Sequence, residues 1–187
     1  MKYLIAGLGN FGLEYQNTRH NIGFMILDAM AKASNFAFKD KRYAFKAEFK
    51  YKGRIFVLIK PTTYMNRSGL AVNYWQKKEK IGIENTLVVL DDIDLPFGKL
   101  RIKPKGSDGT HNGLINISQV IASRDYPRLR FGIGNEFLKG RQIQHVLGEW
   151  TEEEEKALPE RINIAIEMIK SFGTIGVNFT MNQYNNK

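Results

Sequence analysis

Apolar and polar positions switch between two periods along this chain. Tyr3 to Ala6 is an unbroken apolar run that ends at Gly7, so Lys2 to Gly7 reads as a buried strand running into a glycine-rich loop. Ile22, Met25, Ile26, Ala29 and Ala33 then recur at helical spacing. Tyr43 to Lys50 and Arg54 to Lys60 are β-rich runs joined by a Lys52-Gly53 turn. Ser68 precedes a helical stretch through Ala71, Val72 and Trp75. Thr86 to Leu90 is apolar throughout and stops at Asp91, the pattern of a strand covered on both faces. Lys99 to Lys105 alternates, and Arg128 to Gly134 is a further strand candidate. Thr151 and Glu154 form a capping box ahead of a helix carrying Leu158, Ile162, Ala165, Ile166 and Ile169, with Pro159 a kink or restart. The last residues, Asn182 to Lys187, read as frayed. Strands mixed with helices predict an α/β fold: residues 1–187 as a single domain, a mixed twisted β-sheet flanked by helices.

Composition narrows the class. The 187 residues are 43% hydrophobic and 12% aromatic, enough for a globular core. The absence of cysteine removes disulfides, thiolate nucleophiles and cysteine-ligated zinc together. The apolar run at the N-terminus is shorter than the roughly 7–15 residues of a signal-peptide core. No stretch approaches the roughly 20 residues of a membrane span, so a cytoplasmic, soluble protein is expected. The formal net charge of +9 suits an anionic partner, nucleic acid first among them.

Gly7-Leu8-Gly9-Asn10-Phe11-Gly12 matches the dinucleotide fingerprint G-x-G-x-x-G. The match lacks its context, because a dinucleotide site needs the helix to open at the glycines. Here the helical period starts only at Ile22, and Asp28, at the distance of the ribose-binding acid, lies inside the helix where Lys32 can pair with it. The glycines are better read as letting a loop turn and present Asn10. No nucleotide cofactor is expected.

Ser107 does not sit in a G-x-S-x-G elbow, and none of the three histidines, His20, His111 and His145, has a histidine partner at i, i+4. A hydrolase built from this sequence therefore uses water, one base and no metal. His20, in a polar loop before a helix, is the candidate base. A carboxylate on its other ring nitrogen would fix the tautomer; Asp91, at the end of a buried strand, leads, with Asp92 and Asp94 as competitors. Asn10, Asn66 and Asn112 offer amides that can hold a peptide or an oxyanion without titrating.

Several motifs occur in a fixed order: Gly7-Leu8-Gly9-Asn10, Tyr15 with Thr18-Arg19-His20-Asn21, Pro61-Thr62-Thr63-Tyr64-Met65-Asn66-Arg67-Ser68-Gly69, Asp91-Asp92-Ile93-Asp94-Leu95-Pro96, His111-Asn112-Gly113-Leu114 and Arg130-Phe131-Gly132-Ile133-Gly134. Together they closely resemble the bacterial peptidyl-tRNA hydrolase family over essentially the whole chain. The resemblance implies a single α/β domain without cofactor or metal, acting in translation on the ester that joins a peptide to the 3′ end of tRNA. It implies His20 as base, Asp91 as its partner, and Asn10, Asn66 and Asn112 positioning water and peptide, with Tyr15, Tyr64 and Met65 in the substrate cleft. A monomer that rescues stalled peptidyl-tRNA is the expected form. Two positions depart from the family pattern: Phe11 stands where proline is usual, and Thr110 where glycine is usual. Both adjoin the expected site loops.

Lys99, Arg101, Lys103 and Lys105 alternate with Leu100, Ile102 and Pro104, which puts the charges on one strand face. Arg128 and Arg130 flank Leu129 in the same way. Adjacent strands would make a cationic platform for phosphates of the acceptor stem, with Lys103 and Arg130 the leading contacts and Arg101 and Lys105 beside them. A noncatalytic RNA-binding protein and a small-ester hydrolase without RNA are the rival readings. Retention of His20 with Asp91 argues against the first, and the basic strand against the second.

Overall fold

The computed structural model describes residues 1–185. The elements run β1 (Lys2–Gly7), α1 (Ile22–Ser34), β2 (Lys39–Lys41), β3 (Ala44–Tyr51), β4 (Arg54–Pro61), α2 (Ser68–Lys78), β5 (Thr86–Asp92), β6 (Leu100–Lys103), α3 (Asn112–Ile121), β7 (Arg128–Gly132), α4 (Gln142–Val146), α5 (Glu152–Ile175) and α6 (Val177–Tyr184). The strands form one seven-stranded sheet in the order β2-β3-β4-β1-β5-β7-β6. β4, β1, β5 and β7 are parallel, and antiparallel strands close both sides.

Alternation along the strands builds two apolar layers. Tyr3, Ile5, Leu87, Val89, Leu129 and Phe131 meet α1 and α5 on one face; Leu4, Ala6, Val88 and Leu90 meet α2 and α3 on the other. Every residue of β5 is buried, as its continuous apolar run requires. The motif-bearing loops gather at the end of the sheet where β1, β4 and β5 finish. There α1 comes very close to β1: a Cβ at Gly7 would lie 2.5 Å from the Gly23 carbonyl oxygen. The glycines thus serve helix–sheet packing, and α1 starts well beyond the loop, after short 3-10 turns at Leu13–Tyr15 and Arg19–Asn21.

Several expectations are corrected. Asp28 pairs with Lys60 of β4, not with Lys32. Pro159 lies within α5 without ending or restarting it, on an exposed side of the helix. The C-terminal segment is ordered up to Asn185, whose side chain accepts from the Ile102 N–H at 2.9 Å and donates to the Ile102 carbonyl at 2.8 Å. An amide thereby pairs with edge strand β6 as a neighbouring strand would. For positions 186–187 the frayed-end expectation lies outside the described residues. The capping box is present, with the Glu154 N–H on Thr151 Oγ1 at 3.2 Å and the Thr151 N–H on Glu154 Oε2 at 2.9 Å. Among the described residues no helix is long and apolar enough to cross a membrane.

Candidate active site

Asp91 lies near the C-terminal end of β5 and is 2% exposed. A carboxylate buried this far persists only with strong partners. It has two imidazoles. His20 Nδ1 is 2.9 Å from both carboxylate oxygens, and His111 Nε2 is 2.9 Å from Oδ1. The two rings are 5.0 Å apart. His111 is also the N-cap of α3: its Nδ1 accepts from the N–H groups of Gly113 at 3.1 Å and Leu114 at 3.4 Å. An accepting Nδ1 leaves the proton of the neutral ring on Nε2, which donates to Asp91. His20 in turn donates through Nδ1, so its Nε2 is the lone pair available for a proton.

The electrostatics follow from this clamp. Burial pushes the Asp91 carboxyl up, but the charges and hydrogen bonds of His20 and His111 outweigh it and hold the group well below the usual carboxylate range. Burial works against an imidazolium at His20, yet the charge and hydrogen bond of Asp91 prevail and raise its pKa above 6.5. His20 is therefore a stronger base than a free imidazole. The facing atoms of His20, Asp91 and His111 lie within 4.8 Å of one another, the group among the described residues that could gather round a metal ion. Both ring N–H groups point at the carboxylate, so a cation would first have to displace both protons. The donor set fits a hydrogen-bonded clamp better than a metal ligand set.

The competing carboxylates are placed elsewhere. Asp92 faces Arg130, with Oδ2 2.8 Å from Nε but without the alignment of a hydrogen bond, and its Oδ1 accepts from the Asp94 N–H at 2.9 Å. Asp94 is exposed. Asp91 is the carboxylate that contacts His20.

Asn10 is tied in from two sides. Its backbone N–H donates to Asn21 Oδ1 at 2.9 Å, and Asn21 Nδ2 donates to the Asn10 carbonyl at 2.8 Å. Asn10 Oδ1 accepts from the Met65 N–H at 2.7 Å. With the oxygen engaged, the amide N–H₂ is what Asn10 has left to offer. Met65 is buried, while Asn66 and Asn112 are exposed and Tyr15 half-buried. Asn112 opens α3 and lines one cleft with His20, Asp91, His111, Arg130 and Gln142. Asn10, Tyr15, Tyr64 and Asn66 lie outside that cleft lining, on the loops after β1 and β4. Thr110 is accommodated without strain: the left-handed backbone falls on Gly109, at φ 55°, and the Thr110 hydroxyl accepts from Gln142 Nε2 at 3.0 Å.

The residue before His20 is a strut. Arg19 is buried; its guanidinium reaches Glu154 at 2.8 Å and the His145 carbonyl at 3.3 Å, and its N–H donates to the Gly148 carbonyl at 3.0 Å. This anchors the His20 turn to the start of α5.

The basic face needs one correction. β6 and β7 are adjacent, with Arg101 opposite Arg130 and Lys103 opposite Arg128. Arg128, however, is 1% exposed; it donates to the Ser107 and Arg124 carbonyls at 2.9 and 3.0 Å and lies over Tyr126. It is an interior residue. Arg101 and Lys105 are exposed, Lys103 is partly exposed, and Arg130 is partly buried against Asp92. Sequence reasoning missed His111, Asn21 and Arg19. A signal for His111 existed: it stands three residues before Leu114, which with Ile117 and Ile121 makes a helical repeat that needs a cap.

A histidine held through Nδ1 by a buried carboxylate is an arrangement that can take a proton from water at Nε2, here on an α/β scaffold. The peptidyl-tRNA hydrolase family model matches residues 4–187, and the chain belongs to that family. It is 58% identical over 187 residues to the peptidyl-tRNA hydrolase of Phocaeicola vulgatus, covering 100% of both chains. It is 42% identical over 186 residues to that of Caldanaerobacter subterraneus, covering 98% of this chain and 99% of the other. The crystal structure of peptidyl-tRNA hydrolase from Acinetobacter baumannii superposes with a TM-score of 0.92 at 36% identity, covering 98% of this chain and 94% of that one.

Proposed function

We propose that this chain hydrolyses the ester between a peptide, or an N-blocked aminoacyl group, and the 3′ end of tRNA, releasing tRNA for reuse. The observation that carries the mechanism is the 2.9 Å contact of His20 Nδ1 with both oxygens of Asp91. In this reading Nε2 takes a proton from water as the oxygen attacks the ester carbonyl carbon. Asp91 stabilises the imidazolium that forms, and His111 keeps Asp91 in place. The imidazolium then returns its proton to the departing 3′ oxygen. The Asn10 amide N–H₂, with Asn66 and Asn112, holds the peptide and the oxyanion. Tyr15 and Tyr64, on the loops after β1 and β4 beside the cleft, contact the peptide, and buried Met65 holds the Asn10 side chain through its N–H. Arg101, Lys103, Lys105 and Arg130 carry the acceptor stem through its phosphates, which position a nucleic acid without reading its sequence. The enzyme acts as a cytoplasmic monomer. Incubating the purified protein with N-acetyl-aminoacyl-tRNA and with the unblocked form, each with and without EDTA, tests the reading. Release from the blocked ester alone, undiminished by EDTA, is expected. Equal release from both forms, or none, contradicts the substrate class, and loss in EDTA contradicts the metal-free mechanism.

A further inference from the structure

We infer that Phe11 and Tyr64 form a wall that receives the side chain of the ester-linked residue and gives this enzyme a preference for aromatic and large apolar residues there. The inference rests on the function proposed above. The two rings lie 5.1 Å apart at 39°, yet Phe11 is 39% and Tyr64 51% exposed, so neither completes a core. Their placement is fixed by the backbone beside them. Phe11 follows Asn10 and Tyr64 precedes Met65, and the 2.7 Å bond from the Met65 N–H to Asn10 Oδ1 joins those neighbours. Gly12, at φ 120°, turns the chain away directly after Phe11. Two large rings are therefore held ready beside an amide of the site, with little ordering left to do on binding.

Sheet order says which half of the substrate they face. Phe11 and Tyr64 follow β1 and β4, whereas Arg101, Lys103 and Arg130 lie on β6 and β7, and Asp91 lies near the end of β5 between them. β1 and β4 are the next two strands from β5 on the side away from the basic strands, at about 4.8 Å per strand. If phosphates occupy the basic side, the acyl half of the ester occupies the aromatic side. An apolar side chain there covers ring faces that water otherwise contacts.

The test uses one tRNA charged with N-acetyl-phenylalanine or with N-acetyl-glycine, so that the RNA is constant. The kcat/KM ratio between the two esters is measured for the wild-type protein and for Phe11→Ala, Phe11→Pro and Phe11→Leu. The wild-type ratio should exceed that of Phe11→Ala by about 3- to 10-fold, the range of aromatic contacts. Phe11→Pro should match Phe11→Ala, and Phe11→Leu should recover part of the preference. An unchanged ratio in all three variants overturns the inference. So does an equal loss on both esters, which would mean that the ring supports the loop. A second comparison uses N-acetyl-phenylalanyl esters of adenosine and of the base-free ribose. If the effect of Phe11→Ala disappears with the base, the wall stacks the terminal nucleobase and the inference fails. Absence of turnover of every ester by the wild-type protein would instead strike at the proposed function.

Discussion

Substitutions at His111 separate its two tasks. His111 caps α3 through Nδ1 and holds Asp91 through Nε2. His111→Asn keeps a strong capping residue but loses the long reach to Asp91; His111→Ala loses both. A lost cap costs about 1 kcal/mol. A lost hydrogen bond to a buried charge costs about 1.5–3 kcal/mol. The asparagine variant should therefore be destabilised by about 1.5–3 kcal/mol and the alanine variant by about 1 kcal/mol more. That extra loss corresponds to about 2–4 °C in Tm for a chain of this size. The consequence for catalysis lies in pH. With His111 removed, Asp91 loses a donor that disperses its charge, and His20 loses a neighbour that competes for the same carboxylate. Both changes favour the His20 imidazolium. The acid limb of the pH–rate profile of His111→Asn should move to higher pH, while the plateau rate stays within about tenfold of wild type, because His111 is not the proton acceptor. Rates on N-acetyl-aminoacyl-tRNA from about pH 5 to 9, a span that brackets histidine titration, with thermal melts of both variants, give the answer. An acid limb that stays put or moves down refutes the coupling through Asp91. Equal melting of the two variants refutes the capping role.

Other expectations can be checked alongside. Asp91→Asn should lower kcat by about 10²–10⁴-fold with little change in KM, because the amide favours the wrong His20 tautomer, whereas Asp94→Asn should stay within a few-fold; the reverse order in steady-state kinetics would contradict the assignment. The raised His20 pKa makes its pairing stabilising below pH 6.5, with that contribution lost as pH rises through the folded value. Denaturant melts of wild type and His20→Ala should accordingly differ most at low pH, down to where Asp91 itself protonates, and a gap that widens with rising pH would contradict this. Alanine at Arg101, Lys103 or Lys105 should flatten the salt dependence of tRNA binding by about 0.7–0.9 in log–log slope per phosphate contact, sparing a minimal peptidyl-nucleotide ester. Arg128→Ala should leave that slope unchanged and cost about 3 kcal/mol in stability, since it strips a partner from buried Asp108; a flattened slope would return Arg128 to the RNA surface.

The fold was legible where one physical rule dominated. β1, β5 and α1 follow directly from apolar periodicity, and the cap at Thr151 from its spacing to Glu154. α3 went unread because its capping residue is a histidine, outside the usual set of small polar caps. Period-two alternation could have chosen among the carboxylates. Asp91 shares parity with Val89, which faces the α1 layer that His20 leads into, whereas Asp92 shares parity with Leu90 and turns toward Arg130. Alternation was misleading for Arg128, which lies on the basic side of its strand but beneath the 107–124 segment that folds over it. Strand parity fixes the direction of a side chain; whether it reaches solvent depends on what packs above it. Arg19 and Asn21 were unreadable for a related reason, since their partners are distant segments that only tertiary structure brings together.

The central claim is that His20, sharpened by Asp91, is the base that activates water. Single-turnover hydrolysis of N-acetyl-aminoacyl-tRNA by His20→Ala, measured together with the Kd for the same substrate, tests it most directly. A fall of about 10²–10⁴-fold in rate is expected, with Kd within a few-fold of wild type. A rate within a few-fold of wild type would contradict it.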